Sequence, residues 1–242
     1  MGIIEYSHVA VAYDDKVVVR DFNLLVKPGE FLTIIGTSGC GKTTVLKLAN
    51  GLIRPTSGTV CIDSHDTKHM DLTLLRRHTG YVIQGNALFP HMTVEKNIAY
   101  VPNLLNGRDK KRTAQAVRKW LAIVGLEEAL LQRYPRELSG GQQQRVGIAR
   151  ALAASPDVLL MDEPFGAVDE ITRRSLQSEI RRIHAETGIT IMFVTHDIRE
   201  ALLLGSQVLV MDKGEIQQLA TPDMLRQQPA NDYVRSLMVT GY

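Results

Sequence analysis

A chain of 242 residues, 44% hydrophobic and 22% charged, has room for one α/β domain, or a core plus a subdomain, with a sizeable apolar interior. A formal net charge of +2 without a basic block excludes the charge pattern of a nucleic-acid surface, so no nucleic-acid partner is expected. Two cysteines, Cys40 and Cys61, form neither a disulfide framework nor a metal-ligand spacing and suit a reducing compartment. The N-terminus lacks a signal pattern and no apolar run nears the ~20 residues of a membrane span, so any membrane part is expected from other chains.

Residues 3–13 and 17–26 are rich in Val, Ile, Leu and Tyr and flank the polar Asp14-Asp15-Lys16. The pattern predicts two antiparallel strands joined by a turn. Tyr13 reads as a strand aromatic whose ring also suits stacking on a purine base. Pro28-Gly29-Glu30 turns into Phe31-Leu32-Thr33-Ile34-Ile35, an apolar, β-branched run that predicts a buried strand.

Next comes Gly36-Thr37-Ser38-Gly39-Cys40-Gly41-Lys42-Thr43-Thr44, a match to G-x-x-x-x-G-K-[ST]. Ordinary residue frequencies produce that pattern in about one chain in a hundred of this length. Val45 to Asn50, stopped by Gly51, reads as a short helix. Strand, glycine-rich turn and helix together form the context the motif requires. The glycines allow a tight turn whose N–H groups point inward, an anion nest at a positive helix end. Lys42 is placed to reach β- and γ-phosphates, and the Thr43 hydroxyl to ligate Mg²⁺. Cys40, at a helix N-terminus beside Lys42, is expected to have a lowered pKa and to react with thiol reagents.

Pro55-Thr56-Ser57-Gly58 predicts a turn before a strand at Thr59-Val60-Cys61-Ile62. Leu72 to Arg77 predicts a helix, and Gly80-Tyr81-Val82-Ile83 a buried strand ending at Gln84, whose amide oxygen can reach a metal or water. Thr93 reads as the cap of a helix start at Thr93-Val94-Glu95-Lys96. Val117, Leu121 and Val124, with Trp120 beside them, repeat at helical spacing between Asp109 and Val124. Trp120 is assigned to the core and Lys110-Lys111-Arg112 to a solvated face. Leu138-Ser139-Gly140-Gly141-Gln142 then precedes a helix expected over 143–154. A serine and two glycines at a helix N-terminus make a second anion site; a plain serine cap is the alternative.

Asp157-Val158-Leu159-Leu160-Met161-Asp162-Glu163 reads as a buried parallel strand ending in two carboxylates. Open α/β sheets hold ligands at the carboxyl ends of strands. Asp162 is placed to accept from the Mg²⁺ hydration shell, and Glu163 to orient the water attacking a γ-phosphate. Ile189 to Thr195 predicts another buried strand with His196 at its end, suited to γ-phosphate contact. Strands at 206–212 and 214–219 pair across Lys213-Gly214, and short helices finish the chain.

Taken together these residues resemble the ATP-binding subunits of ABC transporters, over essentially the whole chain. The resemblance rests on Tyr13, the P-loop at 36–44, Gln84 as the Q-loop, the signature at 138–142, and Asp162-Glu163. It also rests on the D-loop Gly166-Ala167-Val168-Asp169 and His196 as switch histidine. Val168 stands where the family usually has Leu. The resemblance implies a P-loop NTPase (RecA-like) core with an antiparallel β subdomain and an inserted α-helical subdomain. Residues 1–84 and 156–242 are expected to form the core and about 85–155 the helical part of a single 1–242 domain.

The family also implies ATP and Mg²⁺, and a head-to-tail pair of subunits, here expected to be identical. Each ATP lies between the P-loop of one and the signature of the other. Glu163 is then the general base, with Lys42 and His196 the other catalytic groups, and Thr43, Gln84 and Asp162 serve the metal. Tyr13, the P-loop residues, Gln84, Ser139, Gly140, Gly141, Gln142 and Asp169 contact nucleotide. Membrane permeases and, through them, a substrate-binding protein are the implied partners, at the cytoplasmic face of the membrane.

A closer resemblance, to importers of osmoprotectants, lies in five further stretches: 80–84, 88–93, 134–138, 170–173 and Pro229-Ala230-Asn231-Asp232-Tyr233-Val234. Their cargo is quaternary amines such as glycine betaine, choline or carnitine. Many of those ATPases carry a C-terminal regulatory domain of the cystathionine-synthase type. This sequence ends without one, so sensing through it is not expected. The loop after Gln84, with Leu88, Phe89 and Met92 exposed, is expected to dock a cytoplasmic helix of a membrane subunit. An ABC ATPase of another importer or exporter, and a soluble non-transport ATPase of the same family, remain open alternatives. A GTPase would want a guanine-reading N-K-x-D, which is absent.

Overall fold

The computed structural model describes residues 2–14, 16–85, 88–107, 109–166 and 168–240. Two sheets organise it. Strands β1 (Ile4–Tyr13), β2 (Lys16–Val26), β4 (Ser57–Ile62) and β5 (His65–Asp66) form an antiparallel sheet in the order β2-β1-β4-β5. The second sheet runs β10-β9-β3-β8-β7-β6. It is built from β3 (Phe31–Gly36), β6 (Thr79–Val82), β7 (Val158–Asp162), β8 (Thr190–Val194), β9 (Gln207–Asp212) and β10 (Glu215–Ala220). All its neighbours are parallel except the edge pair β9 and β10. This is the P-loop NTPase fold with an added antiparallel sheet.

The two kinds of strand are buried as their sequences require. Every residue of β7 and β8 is buried, because a parallel sheet is covered on both faces. Strand β1 instead alternates, with Ile4, Tyr6, Val9 and Val11 inward. That alternation survives two slips of register between Tyr6 and Val11, and a third follows between Val11 and Ala12. Tyr6 pairs with Leu24 and Val9 with Phe22, while Val11 pairs with Val19. His8 and Asp21 are the extra residues, both with left-handed backbones, φ 50° and 39°. One bulge in each strand restores the pairing that a single bulge would shift, so the apolar set stays on the core side.

Helix α1 (Lys42–Ala49) lies between the sheets, with Val45, Leu46 and Leu48 in one core with Ile4, Tyr6, Leu32, Ile34 and Met192. The Tyr6 hydroxyl donates to the Val45 carbonyl at 2.9 Å. On the opposite face of the parallel sheet, Phe31, Leu159, Met161 and Phe193 meet helices α3 (Val94–Leu105), α4 (Lys110–Ile123), α5 (Gly140–Leu152) and α6 (Glu170–Thr187). Trp120 lies in that core, 3% exposed. A third core joins Ile35, Val208 and Val210 to α7 (Ile198–Leu204), α8 (Pro222–Gln227) and α9 (Asp232–Thr240). The short α2 (Leu72–His78) leads into β6.

Several boundaries move. The helix after the P-loop begins at Lys42, not Val45, because its first turn is formed by the loop's own Lys-Thr-Thr. The helix expected over 143–154 spans Gly140–Leu152, starting at the Ser139 cap. Strand β6 stops at Val82, and Ile83 is exposed. Asp15, expected in the turn between the first two strands, and Asn86, Ala87 and Ala167 lie outside the described residues.

Candidate functional site

The carboxyl ends of β3, β6, β7 and β8 converge on one edge of the parallel sheet. A cleft of about 490 Å³ opens there, lined by Gly36, Ser38, Gly39, Gly41, Lys42, Thr43, Thr44, Gln84, Glu163 and His196, with Val18 as an apolar wall from β2.

Helix α1 points its N-terminus into this cleft. Its cap, Gly41, is left-handed at φ 104° and offers no side-chain acceptor. By contrast α2 to α8 are capped by Asp71, Thr93, Asp109, Ser139, Asp169, Asp197 and Thr221. The first-turn N–H groups of α1 therefore face the cleft at the positive end of the helix dipole, an arrangement that favours an anion. Gly36 is forced by close approach: a Cβ there would lie 2.1 Å from the Met211 carbonyl oxygen.

Lys42, 7% exposed, donates from Nζ to the carbonyls of Gly36 at 2.8 Å and Thr37 at 2.9 Å. Both of these acceptors are neutral carbonyls. The Thr43 hydroxyl donates to Asp162 Oδ1 at 3.0 Å. Burial pushes the Asp162 carboxyl above the usual carboxylate range, opposed by the Thr43 hydrogen bond and by Lys47 and Lys42. Glu163 follows β7 directly with a left-handed backbone, φ 45°, a conformation that costs a non-glycine residue about 1–3 kcal/mol. Its carboxylate accepts from Gln84 Nε2 at 2.9 Å and lies 3.4 Å from His196 Nδ1.

A second network backs His196. The Thr195 hydroxyl donates to Glu200 Oε2 at 2.6 Å, and Gln177 Nε2 donates to Glu200 Oε1 at 3.2 Å. Arg173 Nε approaches the same carboxylate at 3.7 Å. Both Arg173 and Gln177 lie on α6, whose N-cap is Asp169, accepting from the Thr172 N–H at 3.0 Å. One helix thus carries the Asp169 turn at its start and buttresses the His196 turn along its side.

The serine-glycine stretch stands elsewhere. Ser139 Oγ accepts from the Gln142 N–H at 3.2 Å, and Gln142 Oε1 accepts from the Ser139 N–H at 2.9 Å, a reciprocal cap. None of Ser139, Gly140, Gly141, Gln142, Asp169 or Tyr13 lines the cleft. Tyr13 is 47% exposed.

Two expectations are corrected. Burial pushes the Cys40 thiol up rather than down, and the nearby Lys42 opposes this only in part, because the helix end and ammonium act on a sulfur shielded from water. Leu88 is 7% exposed, inside the helical core. Phe89 is half-buried, its ring 4.9 Å from Tyr100 and beneath the Arg150 guanidinium at 5.4 Å. The sequence reading gave Val18, Asp212 and Tyr233 no role in the site. Asp212 accepts from the Thr37 hydroxyl at 3.0 Å and Tyr233 Oη from the Thr37 N–H at 3.2 Å. No spacing signal marks either residue, because the contacts join distant parts of the chain.

Residues 19–166 match the family model described as ABC transporter. A carnitine transport ATP-binding protein of Listeria monocytogenes is 47% identical over 237 residues, 98% of this chain and 59% of that protein. A glycine betaine uptake system ATP-binding protein of Escherichia coli is 48% identical over 233 residues, 96% of this chain and 75% of that protein. The chain thus spans about 59% of the length of the carnitine relative it matches. An ATP-binding cassette bound to ADP and phosphate, solved as a dimer in a post-hydrolysis state, superposes with a TM-score of 0.81 at 32% identity, covering 90% of this chain and 98% of that one.

Proposed function

The chain belongs to the ABC transporter family, and from that premise we propose that it is the ATP-binding and hydrolysing subunit of an importer, its cargo osmoprotectants of the quaternary-amine class. The observation that carries the catalytic half is the convergence of an uncapped helix end, Lys42, the Thr43–Asp162 pair and Glu163 in one cleft. The cargo half is supported by the carnitine and glycine betaine transport named in relatives 47–48% identical to this chain.

The residues fit a triphosphate. The N–H groups at the uncapped start of α1 face the phosphates, and Lys42 leaves the Gly36 and Thr37 carbonyls for the β- and γ-oxygens. Thr43, Asp162 and Gln84 offer oxygen donors of the hard kind that Mg²⁺ takes, and the ion when bound neutralises charge on the phosphate chain. Glu163 takes a proton from the attacking water and orients it. His196, 3.4 Å from Glu163, holds the γ-phosphate.

Ser139 and the amides of Gly140 and Gly141 supply the remaining charge stabilisation from a second copy, since in one copy they lie off the cleft. Gln142 caps that helix, Asp169 stands at the joint between copies, and Tyr13 stacks on the adenine. Residues 1–84 and 156–242 act as the nucleotide core and about 85–155 as the signature-bearing part. Half-buried Phe89 and Met92 are the docking contacts for a permease helix, with a substrate-binding protein beyond it, at the cytoplasmic face of the membrane. Among the described residues no helix is long and apolar enough to cross a membrane itself.

Glu163→Gln tests the enzyme. It is expected to bind ATP, to turn over about 10²–10⁴-fold more slowly, and to run as a dimer with ATP in size-exclusion with light scattering. Brisk hydrolysis, or a strict monomer when loaded, overturns the reading. For the cargo, disrupting the gene in its host is expected to lower uptake of labelled glycine betaine, choline or carnitine; undiminished uptake of all three removes that class.

A further inference from the structure

The Pro229-Ala230-Asn231-Asp232-Tyr233-Val234 run takes no part in the chemistry above. The structure nevertheless ties it tightly in place. Asn231 Oδ1 accepts from the Val234 N–H at 2.9 Å, starting α9, while its Nδ2 donates to Gln217 Oε1 on β10 at 3.0 Å. Gln218, the next residue on β10, accepts from the Ala230 N–H at 2.8 Å and donates to the Gln228 carbonyl at 3.0 Å. Val234 and Met238 are buried against Ile35, Val208 and Val210.

Tyr233 leaves this anchored helix and reaches the phosphate loop. Its hydroxyl accepts from the Thr37 N–H at 3.2 Å and donates to the Met211 carbonyl at 3.4 Å. The Gly36–Thr37 peptide is trans, so its C=O and N–H point in opposite directions. The N–H meets Tyr233, and the C=O accepts from Lys42 Nζ at 2.8 Å. A single peptide plane therefore joins the C-terminal helix to the ammonium that must meet the phosphates. Gly36 cannot hold that plane by itself, being a glycine at φ 152° with wide freedom of rotation. The bond from the Thr37 hydroxyl to Asp212 fixes the side chain, not the peptide.

We propose that Tyr233 is a positioning residue: its hydroxyl locks the rotation of the Gly36–Thr37 peptide, and with it the resting place of Lys42, so that α9 sets how readily the loop accepts a nucleoside triphosphate. This rests on the reading of the loop as a phosphate site. Without the hydroxyl the Thr37 N–H loses its partner, and the peptide is held only through its carbonyl by the mobile Lys42 side chain. The loop must then be re-ordered each time nucleotide binds, and affinity falls.

The test is Tyr233→Phe, which keeps the ring and its packing. KM and the directly measured Kd for ATP are expected to rise about three- to tenfold, more than kcat falls. In a Cys61→Ser background without nucleotide, alkylation of Cys40, which lies 3.9 Å from Lys42 Nζ, is expected to speed up because the loop opens more often. Unchanged ATP affinity together with an unchanged Cys40 rate overturns the proposal. Val234→Ala, which thins the same packing but keeps the hydroxyl, is expected to lower the melting midpoint and leave both readouts near wild type. Equal shifts in that variant assign the effect to a loosened helix and also overturn the proposal. If the unsubstituted protein bound no ATP, the phosphate-site reading would fail, while the alkylation rates would still decide whether Tyr233 holds the loop.

Discussion

Glu200 is the most exacting single side chain outside the cleft. It is a carboxylate 6% exposed, facing Arg173 and Gln177 from α6 and Thr195 and Asp197 from its own approach. Burial pushes its carboxyl above the ordinary value of 4.5, Asp197 adds to the rise, and the Thr195 hydroxyl, Arg173 and Gln177 oppose it. The fold thus favours the protonated acid relative to the unfolded chain. Its contribution to stability is complete below 4.5 and is lost as pH climbs through the raised value. In Glu200→Gln the amide cannot titrate. Urea unfolding from pH 4 upward is expected to show wild type losing stability relative to the variant over that climb. Parallel profiles would mean that the group titrates alike folded and unfolded.

At the scale of elements, one side chain shapes the 88–93 loop. Asn97, fully buried on α3, accepts from the Phe89 N–H at 2.8 Å and donates to the carbonyls of Phe89 at 3.2 Å, Met92 at 3.1 Å and Thr93 at 3.1 Å. Asn97→Ala leaves buried backbone groups without partners and is expected to cost about 1–3 kcal/mol in urea unfolding followed by Trp120 fluorescence. A loss under about 0.5 kcal/mol would show that water replaces the side chain.

The same contrast between local and distant causes divides what the sequence revealed from what it hid. Strands β3, β7 and β8 were legible as short apolar runs because both their faces are covered. The caps Thr93 and Ser139 were legible because a cap acts within three residues. The convergence of Gln84, Glu163 and His196 followed from their places at strand ends. The bulges at His8 and Asp21 were hidden, since each repairs a register set by the partner strand. So was the left-handed backbone of Glu163. Cys40 was misread because proximity to a cation is visible in sequence while exclusion of water is not.

At the scale of the whole molecule, the Ser139 end of α5, expected from sequence to be a second anion site, shares no pocket with the Lys42 cleft in one chain. If each nucleotide needs both, the catalytic unit has two chains related head to tail, and lesions on different chains must complement. Lys42→Ala removes the ammonium that lines the cleft. Gly140→Asp places a carboxylate in the first turn of α5, where the helix dipole tolerates it but a facing phosphate does not. Each variant alone is expected to hydrolyse little ATP. Mixed one to one, half of the randomly formed dimers are mixed, and each mixed dimer keeps one site with both halves intact. About one site in four overall is then whole, and hydrolysis is expected to recover to that order in a steady-state assay. A mixture no more active than the sum of the separate variants would mean that the serine-glycine helix serves its own chain or none, and the head-to-tail unit would have to be abandoned.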